Sequence, residues 1–345
     1  MTHLVFLFAL ACVIPQTNRR LPFFIFTILS LFLFLALRYD YGNDYMGYLQ
    51  LHSDINAGLK TRIDSDFLYR ISNILFPNFF VFVIILAVIY IFCICLLIYS
   101  NLDASNSWLG FLLLTLNPQF FLVHLSSFRQ TMAICAFIIS IHFLKNKKRF
   151  LCFLFILIAA GFHKSALLLL PVPFFLNKQR ICWKHYCIVI LIIYIFLATP
   201  FLDFIINKLF IWLPQFHSYT YYIEQETGNA LRGTITTSLL ALFVLKYINK
   251  LHCSELFYGK LALIGYIITI VAYKISALTR ISMYFDIFSV VALPMIYIRN
   301  RSSIACKIYS FIIFMIFLLR YFLFFNHPVW QASYNQYKSV FSLLF

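Results

Sequence analysis

The sequence predicts an all-α polytopic membrane protein, and three observations carry the prediction. Hydrophobic residues make up 63% of the 345 residues and charged ones only 11%, against about 25% charged in soluble domains. Mean hydropathy is +0.90. The Lys and Arg residues behind the net charge of +16 sit in short clusters between apolar runs instead of along one stripe, so the charge is topogenic and nucleic acid is not a partner. Runs of spanning length give about twelve membrane segments with both termini outside. They form one integral membrane domain over residues 1–345, with larger outer loops at about 38–66 and 200–232.

The first segment is the apolar run Leu4 to Ile14; its arginines, Arg19 and Arg20, follow the core instead of preceding it, so it is a membrane helix and not a signal peptide. Leu21 to Leu37 is the second, delivering Arg38 to Tyr45 to the outer surface. The next stretch holds Asp40, Asp44, Asp54, Asp64 and Asp66 and is too polar to span. Phe67 to Phe76 is an amphipathic lead-in to the span Pro77 to Tyr99. Trp108 to Leu125 crosses back with Asn117-Pro118 inside it, a kink signal because proline removes a helix hydrogen bond.

Arg129 to Lys145 rises roughly 24 Å and Arg149 to His163 roughly 21 Å at helical pitch, on either side of the basic knot Lys145-Asn146-Lys147-Lys148-Arg149. A cytoplasmic knot leaves Arg129 and His163 near the outer face. The short stretch between that knot and Lys178, Arg180 and Lys184 must go out and back, which predicts a broken helix pair meeting at Gly161-Phe162-His163-Lys164. Tyr186 to Thr199 exits, and Pro200 to Arg232 forms the second outer loop, with Phe204 to Leu213 as an interfacial helix. Gly233 to Ile248, Lys260 to Tyr273, Thr279 to Ile298 and Ile304 to Phe325 complete the crossings. The nine Cys residues mostly lie inside these runs, as Cys93, Cys95, Cys135 and Cys152 do, and suggest neither disulfides nor a metal site.

Loops assigned to the cytoplasm carry Arg19, Arg20, the basic knot, Lys178, Arg180, Lys184, Lys250, Arg299 and Arg301 with only Asp103 and Glu255 as acids, which makes the orientation self-consistent. The exceptions are on the outer half: Arg38, Arg129, His163, Lys164, Arg232, Lys274, Arg280 and Arg320. An Arg on an apolar spanning helix costs at least ~2.5 kcal/mol on insertion scales, so it lines a cavity, finds a partner or snorkels to headgroups. Guanidinium forks bind phosphate oxygens bidentately, which suits an anionic ligand at headgroup depth. Asp44 is a candidate proton acceptor for a sugar hydroxyl, and His163 a second acceptor or a cation for phosphate. A salt bridge or turn cap would also account for Asp44, and a carbonyl bond at a helix end for His163. Asp64-Ser65-Asp66 matches the Asp-x-Asp pattern of nucleotide-sugar transferases, but three residues match by chance often. There is no Gly-rich phosphate loop, no His-Glu-x-x-His helix and no Gly-x-Ser-x-Gly elbow, so ATP-driven transport has no support.

The chain resembles the EpsG-like branch of the Wzy-type polysaccharide polymerases. The resemblance rests on Arg38-Tyr39-Asp40-Tyr41-Gly42-Asn43-Asp44-Tyr45 with Tyr48, on Ser127-Phe128-Arg129-Gln130 with Ala133, on Ala160-Gly161-Phe162-His163-Lys164-Ser165, and on Arg280 with Tyr284-Phe285. Gly42-Asn43-Asp44 stands where the family usually has Gly-Thr-Asp, which keeps the carboxylate. The resemblance implies an inner-membrane transferase of C-type glycosyltransferase-like architecture, working at the periplasmic face on undecaprenyl-pyrophosphate-linked oligosaccharides as both donor and acceptor. Joined with the reading of the outer charges, it makes Asp44 and His163 the candidate catalytic residues, Arg38, Arg129, Arg232 and Arg280 the candidate pyrophosphate contacts, and Tyr48, Gln130 and Tyr284 candidate sugar or supporting contacts. No cofactor and no metal are expected, and a flippase and a chain-length regulator are the expected protein partners. A lipid-linked oligosaccharide flippase and a membrane sugar acyltransferase are the rival functions.

This topology predicts that cysteines placed at Asn43 and Gln225 react with a membrane-impermeant thiol reagent added outside, whereas one at Asn146 does not. Labelling at Asn146 alone would invert the orientation.

Overall fold

A computed structural model describes residues 20–61, 66–176, 188–192, 194–195, 230–273, 275 and 278–343. The chain divides into two compact units, Met1–Phe175 with Phe314–Phe345, and Leu176–Ile313. The expected first segment at Leu4 to Ile14, most of Tyr186 to Thr199 and the second outer loop lie outside the described residues.

In the first unit, α1 (Arg20–Ala36) leads through β1 (Arg38–Tyr39) into α2 (Tyr45–Asn56), so the stretch expected as the first outer loop contains a helix. The helix α2 buries Tyr45, Tyr48, His52 and Ile55, an i, i+3, i+7, i+10 series that makes one inward face. Next comes α3 (Phe67–Leu75), which buries Tyr69 and Asn73 and leaves Phe67, Ile71, Ile74 and Leu75 exposed. An amphipathic helix with its apolar side turned outward suits a position at a membrane interface. Asn78 then starts α4 (Phe79–Tyr99), its side chain accepting from the backbone N–H of Phe80 and Val81 at 3.0 and 3.2 Å. That cap satisfies donors that no preceding turn can reach.

The expected kink at Asn117-Pro118 is a full break between α5 (Ser107–Leu116) and α6 (Pro118–Ser126). Asn117 is extended and caps α6 through Gln119 N, with proline at the first helical position, where its missing N–H costs nothing. Then follow α7 (Phe128–Lys145) and α8 (Arg149–Phe162), joined by the basic knot, where Lys147 adopts φ +62°. At its knot end α7 is fixed by Lys145, whose Nζ donates to Ser100 O and Asn101 Oδ1 at 3.0 and 2.6 Å. The break expected near His163 is present: the residue is extended, φ −154° and ψ 117°, between α8 and the 3₁₀ turn Lys164–Leu169, which α9 (Val172–Phe175) continues.

The second unit holds α10 (Ala230–Tyr247), α11 (Leu256–Ala272), α12 (Thr279–Asp286) and α13 (Ser289–Asn300). The sequence predicted one span over Thr279 to Ile298. The structure instead bends α12 against α13 by 44°. Asp286 is buried at the bend, accepting from Thr269 Oγ1 at 2.9 Å, and Gly265 lets the chain come so close that an added Cβ would lie 2.4 Å from the carboxylate. Glu255 beside α11 accepts twice from Arg299 of α13, at 2.7 and 3.1 Å, so those two loops share one end of the unit.

The last long helix, α14 (Ile304–Asn326), ends in the first unit, where α15 (Pro328–Tyr334) and β2 (Lys338–Ser339) follow. β2 pairs antiparallel with β1, Arg38 opposite Ser339 and Tyr39 opposite Lys338. Three helices are long and apolar enough to cross a membrane, α4, α7 and α14; α12 with α13 makes a fourth, and five shorter apolar helices accompany them. The chain is thus all-α and membrane-like, while the described residues establish fewer crossings than the twelve expected. The outward faces agree with lipid contact: Val81, Val88 and Phe92 on α4 and Phe311, Met315 and Leu319 on α14 are exposed.

Gly42 is where the tail docks. Its φ is +120°, its N–H donates to Ser333 O at 3.2 Å, and an added Cβ would lie 2.7 Å from Ser126 Oγ. Gly42→Ala should therefore cost about 1–3 kcal/mol and lower the thermal midpoint in detergent, whereas Gly47→Ala, with nothing within 4 Å of the new Cβ, should not. Equal midpoints for the two variants would show that the tail does not depend on this close approach.

Candidate functional site

One carboxylate collects the site. Asp66 is the residue before α3, buried, and held where the helix N-terminus favours negative charge. Arg129, in the first turn of α7, donates from Nη1 to Asp66 Oδ2 at 2.6 Å. His163, at the break after α8, brings Nδ1 to 3.7 Å from the same oxygen, ion-pair distance but too long for a hydrogen bond. Gly161 eases this arrangement: a Cβ there would fall 2.6 Å from Leu68 Cδ1, so a larger residue would have to push the Leu68 side chain of α3 aside.

Burial pushes the Asp66 carboxyl up, yet the His163 and Arg129 groups facing it outweigh that and hold it below the ordinary carboxylate range. With a depressed value, the pair's contribution is complete above the unfolded carboxyl's range and is lost only as pH falls through the lowered value. At neutral pH the carboxylate is ionised. Tyr48 of α2 also hydrogen-bonds Arg129. Its ring stacks on Phe128 with centroids 4.4 Å apart and planes 4° apart, so the residue before Arg129 is clamped as well. Burial raises the Tyr48 phenol, against the lowering by Arg129, and keeps it neutral, its oxygen accepting from the guanidinium.

The cluster is not saturated. Among the described residues, neither Arg129 Nε nor His163 Nδ1 has a hydrogen-bond partner, although both atoms are buried. Buried donors without partners are rare and mark a place that a ligand or water completes. An oxyanion with several acceptor oxygens would complete it, since one edge of the guanidinium is already spoken for by Asp66.

The other sequence candidates fall differently. Arg38 is fully buried, its Nη1 donating to Leu35 O at 2.6 Å and its guanidinium 5.2 Å from the Phe128 ring and 5.9 Å from that of Tyr45. Burial lowers it to about 10, against Tyr45, Tyr334 and Tyr337, so it stays cationic but enclosed. In place of the expected surface contact it fixes the end of α1 against α2 and α7. Asp44 is exposed at the start of α2, and its side chain makes no capping bond there. It acts electrostatically on Tyr48 and Tyr334. Gln130 is buried in α7. Arg280 is exposed in the first turn of α12, and Tyr284 is buried in the same helix, both within the second unit. The side chain of Arg232 lies outside the described residues.

Sequence reasoning passed over Asp66. It appeared as one of five acids in a polar stretch and as the third residue of a chance-level Asp-x-Asp match, and its position one residue before an amphipathic helix was the available signal.

No curated protein and no solved structure matches the chain. A family model described as the EpsG family matches residues 21–339, a span that contains Asp44, Asp66, Arg129, His163 and the docked tail. The chain belongs to the EpsG family, whose members have a polysaccharide-polymerase-type role.

Proposed function

We propose that the protein is an oligosaccharide repeat-unit polymerase of the inner membrane, transferring a growing glycan from undecaprenyl pyrophosphate to the non-reducing end of an incoming lipid-linked repeat unit at the periplasmic face. The observation that supports it best is the unsaturated Arg129–Asp66–His163 cluster in an EpsG-family chain. In the proposed reaction an acceptor hydroxyl attacks the anomeric carbon, the bond from that carbon to the pyrophosphate oxygen breaks, and the hydroxyl proton passes to a base. The leaving pyrophosphate gains charge as it departs, and preorganised donors aimed at that charge lower the barrier. Arg129 supplies them, with Asp66 and Tyr48 as positioning residues that fix its fork. The arginines at 232 and 280 are further candidate phosphate contacts. A flippase would bring the substrate across and a chain-length regulator would act on the product.

Asp44 is the proposed base, because it is an exposed carboxylate in a polar loop, where an acceptor sugar can reach it. A second assignment is favoured by a specific contact: the Asp66 carboxylate beside His163 Nδ1 favours a proton on that nitrogen, leaving Nε2 to meet a ligand and take up a proton. His163 would then be the base and Asp44 an acceptor contact.

Deleting the gene in its native strain should leave a lipid-A core bearing a single repeat. Loss of every repeat would indicate a flippase, and an unchanged ladder with altered antigenicity an acyltransferase. In the complemented strain Arg129→Lys and Asp66→Asn should both insert normally and lose most polymerisation, by roughly 10²-fold where the fork is misplaced. Normal ladders in both variants would remove the cluster from the chemistry.

For the base, single-turnover polymerisation with purified lipid-linked repeats should fall by about 10² to 10⁴ in Asp44→Asn. His163→Gln should chiefly weaken donor binding. Wild-type turnover in Asp44→Asn, with turnover abolished and donor binding intact in His163→Gln, would give the proton to His163.

A further inference from the structure

Beside the cluster, and not part of it, lies a cleft of about 520 Å³ between the loop before α2 and the docked C-terminal tail. Its walls carry Asp40, Asn43, Gln331, Asn335, Gln336 and Lys338. The four amide side chains make no hydrogen bond among the described residues. The two charges cancel, Lys338 Nζ lying 3.1 Å from Asp40 Oδ2. Met46 and Pro328 add small apolar patches.

The walls are built, not loose. Tyr334 of α15 is fully buried, its hydroxyl bonded to Ser126 Oγ and donating to Leu122 O at 3.0 Å. Tyr337 donates to Phe34 O at 2.9 Å and Val340 N to Leu37 O at 2.8 Å. The β1–β2 pairing closes the far side. A cleft held at this many points is preorganised, which lowers the cost of binding, and its volume falls within the ~300–1,000 Å³ usual for ligand sites.

The lining chemistry selects the ligand class. A phosphate or nucleotide needs unpaired cations, and the sole lysine here is neutralised by Asp40. A lipid chain needs an apolar wall. Four primary amides, each offering a donor pair and an acceptor, match vicinal hydroxyls that also donate and accept, and the apolar patches suit the C–H faces of sugar rings. We propose that this cleft is a saccharide-binding subsite that holds the neutral glycan portion of the substrate while the pyrophosphate is handled elsewhere. The proposal rests on the polymerase reading for the identity of the glycan. Asn43 and Met46 line the cleft on either side of Asp44 in sequence, so a bound sugar lies next to the proposed base.

The test is direct binding of lipid-free oligosaccharide, cut from the native strain's own surface polysaccharide, to the purified full chain in detergent, read by saturation-transfer NMR and calorimetry. Gln331→Ala/Asn335→Ala removes two amides that support no other contact, and Met46→Trp fills the floor without removing any. Both should weaken binding at least tenfold and shorten the ladder in cells, while Arg129→Lys keeps wild-type affinity. Preference for a single repeat would identify the incoming unit as the occupant, and preference for several repeats the growing chain; either supports the subsite. Absent binding to the wild type, or wild-type affinity in both cleft variants, overturns it. Failure of the polymerase reading shows instead in the deletion strain's surface polysaccharide, so the two results separate.

Discussion

The contact on which the first unit depends is the bond from Arg129 to Asp66. An arginine in the first turn of an apolar helix carries a standing cost in a membrane, and a buried carboxylate carries one of its own. Each is tolerable because of the other. Removing one partner of a buried pair costs about 3–5 kcal/mol because it strands the remaining charge, and Arg129, with a quarter of its side chain exposed, lies toward the lower end. The pairing therefore dictates where α3 sits on α7, and through Gly161 it dictates how near the His163 break may come. Geometry that would otherwise be an interface between short helices becomes fixed to within a hydrogen-bond length.

The parts of this arrangement that were legible in the sequence are local. The ends of α7 could be read because an arginine and a lysine bracket an apolar run of spanning length. The α5–α6 break could be read because Asn-Pro carries its own chemistry, and the His163 break because a short stretch had to reverse between basic clusters. What escaped depends on distant partners. Nothing near Asp66 announces that its counter-ion lies 63 positions on, and an exposed-looking acid in a polar loop reads as one of five equivalents. Arg38 likewise reads as a surface cation until the rings of Tyr45 and Phe128 are seen to enclose it. The tail after Asn326 shows no periodicity long enough to place it, and only its pairing with β1 gives it a position.

The bend between α12 and α13 teaches the same point from the other direction. Proline is the usual local cause of a sharp kink, and Pro294 lies inside α13, yet the chain bends earlier, at Ile287-Phe288. The bend coincides with Asp286, a buried carboxylate that Thr269 of α11 meets at one oxygen and that the missing side chain of Gly265 admits. A polar group that must find a partner at depth outranks a proline whose lost hydrogen bond falls one turn further on.

In the first unit the same economy places two chemistries on one short helix. The start of α2 contributes Asn43 and Met46 to the polar cleft, and Tyr48, less than one turn beyond Met46, bonds the guanidinium that meets Asp66. Tyr45, one residue before Met46, packs its ring 5.9 Å from the Arg38 guanidinium, its hydroxyl donating to Arg38 O at 3.1 Å. On the proposed reading, a glycan in the cleft would sit against the same helix that carries Tyr48 to Arg129. Binding energy from a part of the substrate remote from the reacting bond would in that case help orient the groups at that bond, with the docked tail as the opposing wall of the cleft.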